Sequence, residues 1–392
     1  MRLPILSACL SLTILSGCNF LKADGVEDDR AASAPDPEEG ADSMASRDPA
    51  PGEAVEEPVP DSAPRPVMQA QVVLDRLGFS VGVVDGRAGA RFVRALEAFQ
   101  ESRGLAVTGE FDAETRQALS RWNAIPATRV VTIPVDWVRT TLAPLPEKPA
   151  DQAKLAELHY ESLAEKLAER FHTTPEVLAA LNPGGRPAGA PAAAPAPAET
   201  VPTSAPAPAP AAVSFQPGQT IRVPNVGADR IDPARVDDRA WRATLRMLGV
   251  GTDQPEAARL VVDESEGWLR AYDADDRLVA AFTVSTGSQH DPLPIGDWRV
   301  KGKAYNPTFV FNPELFWDVD DSEDKQHLPS GPNSPVGVVW IDLDKEHYGI
   351  HGTPEPALVG QTQSHGCVRL TNWDAARLAQ MVSGRTEVVF QK

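Results

Sequence analysis

Two stretches of this chain cannot enter a packed core, and they limit what the rest can fold into. Residues 24–57 carry twelve acidic side chains and two arginines, so −10 of the formal net charge of −18 sits there. Such a run is too polar and self-repelling to collapse, and it predicts an extended, disordered tether. Residues 187–212 hold eight prolines and twelve alanines, the composition of a semi-rigid spacer. A chain of 392 residues cut in this way is a string of modules, not one domain. Outside the tether the charge is only mildly acidic, so nucleic acid is not an expected partner.

The N-terminus reads as an export signal at 1–17. Arg2 supplies a positive start and Leu3–Ile14 an apolar run. That run is shorter than the ~20 residues a membrane span needs. Leu15-Ser16-Gly17-Cys18 resembles a bacterial lipobox, which implies cleavage before Cys18 and acylation of that cysteine. Two or three acyl chains anchor a protein stably where one is marginal. Asn19 in the next position, in place of Asp, implies the outer membrane of a Gram-negative cell envelope, facing the periplasm. The alternative is an ordinary secretory signal with a chance cysteine. With Cys9 cleaved away and Cys18 acylated, Cys367 is left as the one free thiol of an exported protein, either buried and structural or reactive.

The acidic tether is expected over 18–66. Three amphipathic helices follow, each with apolar residues at i, i+3, i+4 and i+7: Ala70 to Leu77 before Gly78, Phe92 to Phe99 before Gly104, and Thr115 to Trp122 behind Asp112. The turns between them carry Val84-Asp85-Gly86, Phe99-Gln100 and a Val107-Thr108-Gly109 to Asp112 and Thr115 pattern. These pieces resemble the peptidoglycan-binding type 1 module, over 67–124. Residues 126–154 read as connective, with one strand-like run at Val130–Ile133. Leu163, Leu167 and Phe171 mark a further helix, and Thr174 with Pro175 opens another. Together with "FQPGQTIRVPNV" these resemble a small α/β LysM sugar-binding module over 155–226, interrupted by 187–212. The family's usual opening motif is absent, and the insert is long. Residues 228–255 read as a weakly helical link.

From about 257 the pattern alternates apolar and polar residues between acidic turns, as in "ARLVVDESEGWLRAYDADDRLVAAFTVSTG". Helical periodicity returns only near Asn372. This C-terminal unit, 257–391, is mainly β.

It contains Cys367 in "SHGCVRL", with His365 two residues before it and His351 sixteen before it in "IHGT". A thiol attacks as the thiolate, so it needs a base or a positive field. His365 is too close in sequence to take the thiol proton readily, so His351 is the expected general base. His365 would brace the site or help bind an oxyanion. Gly366 lets substrate and backbone approach closely, and the N–H groups of 366–367 are candidate oxyanion donors. Gly352 leaves its carbonyl open to hold one ring nitrogen of His351. Arg369 would grip a substrate carboxylate or raise the thiolate population. A lone cysteine is often a small buried hydrophobe. A zinc site would need a fourth ligand, and none stands at metal spacing, so neither metal nor cofactor is expected.

"HGT", fourteen residues, then "HGCVRL" resembles the signature of the L,D-transpeptidase (YkuD) catalytic domain. "STGSQHDPLPIGDWRV", "YNPTFVFNPELFW" and "PSGPNSPVGVVWIDL" agree with its other segments. The resemblance implies a β-sandwich-like domain with Cys367 as nucleophile and His351 as proton acceptor. Ser364, His365, Gly366 and Arg369 stand on motif positions with supporting roles. It also implies that peptidoglycan tetrapeptide stems are the donors, that a stem amine as acceptor gives 3→3 cross-links while a lipoprotein lysine, a free D-amino acid or water could take the acyl group instead, and that carbapenems acylate Cys367. The rival readings are a catalytically inactive wall-anchoring lipoprotein and a cysteine peptidase acting on wall peptides.

Overall fold

The computed structural model describes residues 59–191, 214–227, 230–315, 324–364 and 366–392. The signal segment, Cys18, most of the acidic tether, the bulk of the Pro/Ala spacer and His365 lie outside the described residues.

The first unit is three short helices: α1 (Pro66–Arg76), α2 (Ala90–Ser102) and α3 (Ala113–Leu119). The Asp112 carboxylate caps α3 by accepting from the Thr115 N–H at 2.8 Å. Gly78 and Gly104 follow α1 and α2 at φ +91° and +65°, conformations that a side chain disfavours. Leu74, Phe92, Leu96 and Phe99 form the shared core, with Phe79 edge-on to Phe99.

The next strand, β1 (Thr128–Thr132), contains most of the strand-like run that the sequence placed in connective chain. After a short helix α4 (Pro149–Gln152) come α5 (Leu163–Arg170) and α6 (Pro175–Leu181), then β2 (Thr220–Pro224). β1 and β2 pair antiparallel, Thr128 opposite Pro224 and Thr132 opposite Thr220. Two strands alone are marginal. Here Val131, Ile133, Ile221 and Val223 pack with Leu167, Phe171 and Leu178 of the two helices. The result is a β-α-α-β unit that begins before residue 155. Arg222, buried beneath it, donates to the carbonyls of Val59 and Ala188 and to Thr128 Oγ1. Residues 59–65, expected as tether, are therefore docked on this unit.

The 228–255 stretch contains more than a link. Helix α7 (Arg239–Leu248) is capped by Asp238, which accepts from Ala240 and Trp241, and is stopped by Gly249 at φ +68°. Its Trp241, Leu245 and Leu248 are buried in the core of the β domain. Each such side chain contributes about 1.5–3 kcal/mol on burial.

That domain holds β3 (Arg259–Asp263), β4 (Trp268–Tyr272), β5 (Leu278–Thr283), β6 (Gly296–Tyr305), β7 (Phe309–Phe311), β8 (Gln326–Leu328), β9 (Val339–Leu343), β10 (Gly349–His351), β11 (Val368–Arg369), helix α8 (Asn372–Met381) and β12 (Glu387–Gln391). β7 and β8 form a separate hairpin. The others make one mixed sheet in the order β11-β10-β9-β6-β12-β3-β4-β5. The long β6 pairs with β12 through its first half and with β9 through its second, and the register shifts between Val300 and Gly302. Such an irregularity adds bend and twist. Just past β5, Ser285 exchanges two backbone hydrogen bonds with Arg369 of β11, at 3.1 and 2.8 Å. The expected sandwich is thus one sheet curled until its two edges meet.

The three units are joined by polar groups as well as apolar ones. The turn after α1 pairs with β5, the Ser80 N–H donating to Ala281 and the Ala281 N–H to Gly78. Beneath it, Asp75 of α1 is fully buried. Arg377 of α8 donates to both its carboxylate oxygens, at 3.0 and 3.2 Å. His172, between α5 and α6, reaches the same carboxylate through Nδ1 at 3.1 Å and the Leu248 carbonyl through Nε2 at 3.1 Å. The ring also stacks on Trp373, centroids 4.8 Å apart. Burial raises the Asp75 pKa, Arg377 and the His172 contact lower it, and the net result lies well below the usual carboxylate range.

Asp75→Asn leaves Arg377 buried without its counter-charge. It should cost about 3 kcal/mol or more in urea unfolding followed by tryptophan fluorescence. A double change, Asp75→Leu with Arg377→Met, should recover part of that loss, because no uncompensated guanidinium remains.

Candidate active site

The site lies where the curled sheet closes. β10 and β11 run parallel, with Ile350 opposite Val368 and His351 opposite Arg369. Ile350 and Val368 are fully buried in the apolar core. Strand alternation therefore turns His351, Arg369 and their neighbours two residues away to the other face. Gly349 and Cys367 each come one residue earlier, and the Gly349 N–H lies within hydrogen-bond reach of the thiol. Cys367 and His351 are thus diagonal neighbours on adjacent strands, the placement that sixteen residues of separation left open. Gly349 is required there because a β-carbon would lie 2.5 Å from the Trp340 ring.

His351 is held on three sides. Trp340, its cross-strand partner on β9, stacks on it with centroids 5.4 Å apart. Its Nδ1 lies 2.6 Å from the Gly352 carbonyl. A carbonyl only accepts, so Nδ1 carries the proton and Nε2 keeps a free lone pair. Burial pushes the His351 pKa down to about 4, the Gly352 contact opposes this, and the Arg369 charge adds to it. The ring is therefore a neutral base at neutral pH. Asn372 at the start of α8 closes the far side of Gly352, leaving no room for a β-carbon, and its Oδ1 accepts from the Val338 N–H at 3.1 Å.

Cys367 is half-buried. Burial raises its pKa, while the Gly349 N–H and the Arg369 charge act in the opposite direction. Its Sγ lies 3.9 Å from the His347 carbonyl. The preceding loop is fastened at two points: the Ser364 N–H donates to Thr286 at 2.8 Å, and Ser364 Oγ donates to the Cys367 carbonyl at 2.5 Å. Gly366 has φ +96°, and a β-carbon there would lie 2.8 Å from Tyr348. The structure therefore brings together Cys367, His351, Gly352, Ser364, Gly366 and Arg369.

The thiol stands apart from the helix that follows it. β11 intervenes, and the cap of α8 is Thr371, four residues on. A helix-end field fades within about one turn, so the local cation is Arg369. The sequence reading missed Trp340 and Tyr348. Trp340 lies on the alternate face of "VVWIDL", and only the β9–β10 register shows that this face is the one His351 occupies. Tyr348, just ahead of β10, touches the thiol loop from another strand segment.

Residues 257–390 match the L,D-transpeptidase catalytic domain family, YkuD, and residues 65–119 match a peptidoglycan-binding domain family. A Bacillus licheniformis protein bearing the name L,D-transpeptidase YkuD is 30% identical over 130 residues, 33% of this chain and 63% of that protein. Its Bacillus subtilis namesake is 44% identical over 61 residues, 16% of this chain and 37% of that one. The chain thus spans less than two thirds of these relatives. Among solved structures, L,D-transpeptidase 3 of Mycobacterium tuberculosis aligns at 18% identity and TM-score 0.29, over 34% of this chain and 60% of that one.

With both partners neutral at rest, the thiol should alkylate slowly with iodoacetamide at about pH 7. Its rate should rise with a midpoint above the ordinary cysteine range. Arg369→Gln should move that midpoint further up, since the cation favours the thiolate. Intact mass against time across pH checks both statements. A midpoint near neutrality would contradict the neutral pair.

Proposed function

We propose that this chain is a cysteine L,D-transpeptidase of the cell envelope, acting on peptidoglycan stem peptides. The observation that carries the reading is the β10–β11 pairing. β10, which ends in the neutral imidazole of His351, runs beside β11, which follows directly on the half-buried Cys367 and its glycine-opened loop. The domain matches over 257–390 and 65–119 support the same conclusion.

The chemistry follows from these groups. Cys367 Sγ attacks the carbonyl that joins diaminopimelate to the terminal D-alanine of a tetrapeptide stem, and its proton passes to His351 Nε2. The N–H groups of 366–367 face the developing oxyanion, with His365 and Ser364 in support. The intermediate collapses, the C–N bond breaks, and the imidazolium proton leaves with D-alanine. A thioester remains. An acceptor amine then attacks it, gives its proton to His351, and forms the new amide as the thiolate departs. A stem amine yields a 3→3 cross-link; water would yield hydrolysis.

Around this centre, we read Cys18 as a lipid anchor in the outer membrane and residues 18–58 as the reach of the tether. The β1-α5-α6-β2 unit is read as a LysM-like glycan contact. A tethered enzyme meets its polymer at raised local concentration.

Purified tetrapeptide muropeptides separate the readings. Wild type should give cross-linked dimer and free D-alanine. Cys367→Ala should give neither, and His351→Gln should lose about 10²–10⁴-fold in rate. Released D-alanine without dimer would make the chain a peptidase. No Cys367-dependent product would leave a non-catalytic wall protein.

A further inference from the structure

A cleft of about 560 Å³ opens beside the thiol loop. One wall is Thr286, Gly287 and Ser288, beyond β5. The other is Gly360–Gln363, leading into Ser364. The first wall is hydrogen-bonded to the chain on both sides of the nucleophile: Thr286 accepts from Ser364, and Ser285 pairs with Arg369. The cleft is therefore continuous with the segment that carries Cys367.

One lining residue does not belong to the β domain. Arg94 projects from α2 of the helical wall-binding unit. Its guanidinium crosses Gly267 and Gly360: a β-carbon at either would sit 3.7 Å from Nη2 or Nη1. Nη1 is enclosed and has no hydrogen-bond partner among the described residues. One turn earlier, Arg91 is fully engaged. It donates to the Ala357 carbonyl at 3.0 Å and pairs with Asp85 at 3.5 Å, pinning α2 to the loop that follows His351. Glu264, the carboxylate in the same cleft, accepts from the Leu293 N–H at 3.1 Å.

An enclosed guanidinium N–H without an acceptor is costly, and structures rarely leave one so. The remaining walls are mostly hydroxyls, amides and glycines, with Val284, Pro292 and the cationic Lys392 among them, a lining that suits an acidic peptide. We propose that Arg94 completes the peptide-binding cleft of the β domain by holding a carboxylate of the stem. The fork of a guanidinium matches a carboxylate in two parallel bonds. This rests on the acyl-transfer reading for the identity of the peptide. It gives the helical unit a second role: beyond holding the wall, it supplies a side chain to the substrate site, and α2 must stay docked for that site to exist.

The test measures binding on the full chain carrying Cys367→Ala, so that no turnover intervenes. The ligand is the free tetrapeptide L-Ala–γ-D-Glu–diaminopimelate–D-Ala, alongside the same peptide with its carboxylates amidated, titrated by calorimetry. Arg94→Gln should weaken the free acid roughly 10-fold or more and leave the amidated peptide unchanged. Arg94→Lys, which keeps the charge and loses the fork, should weaken the free acid less and guards against a folding defect in the first variant. Equal affinity with and without Arg94, an equal loss on both peptides, or no binding by the parent would each overturn the proposal. A chain that fails to cross-link but shows the Arg94-dependent, carboxylate-dependent binding would sink the transpeptidase reading alone.

Discussion

The Asp75 carboxylate is the point on which the assembly of this chain depends. It is fully buried, and four parts of the chain converge on it: α1 that bears it, Arg377 of α8, His172 between α5 and α6, and through His172 the end of α7. A buried ion pair adds little net stability over an apolar pair of the same shape. It is intolerant of misplacement, however, because each charge left unpaired costs several kcal/mol. Apolar contact between small helical units and a sheet permits many docked arrangements. A three-way charge cluster permits few.

That docking matters to the candidate site because the cluster lies directly behind the loop that holds His351. Trp373, stacked on His172, is two residues from Thr371, and Asn372 between them wedges the Gly352 loop that holds His351. Ser80 of the helical unit donates to buried Asp374, whose pKa burial raises to about 6, so the same helix is gripped from a second side. The position of His351 is thus tied to the seating of the helical unit. On the other side, the Ser285–Arg369 bridge closes the sheet next to the thiol. The site occupies a seam, where two edge segments that are distant in sequence share hydrogen bonds and a cleft remains open between them.

Local features were readable from the residue order. The caps at Asp112 and Thr174, the glycine stops at Gly78 and Gly104, and the helix after Thr371 lie where their chemistry placed them. His351 against the Gly352 carbonyl was also legible, since a glycine next to a histidine leaves that oxygen accessible. What misled was any segment whose partner is remote. The strand-like run at Val130–Ile133 looked connective because β2 follows some ninety residues later. Helix α7 looked like a link because its Trp241, Leu245 and Leu248 face a core built by the β domain. That the sandwich-like β domain is one curled sheet was not legible, because it depends on β6 pairing with β12 through one half and with β9 through the other.

By itself, then, the sequence determined the helix ends and the contact of His351 with the neighbouring Gly352 carbonyl. These rest on interactions within a few residues: backbone φ preferences and caps. Only the tertiary structure decided which face His351 and Cys367 share, that Trp340 and Tyr348 enclose them, and that Arg94 of a separate helix reaches the same cleft. Those outcomes depend on strand register and on a buried charge network, and both are set by residues far apart in the chain.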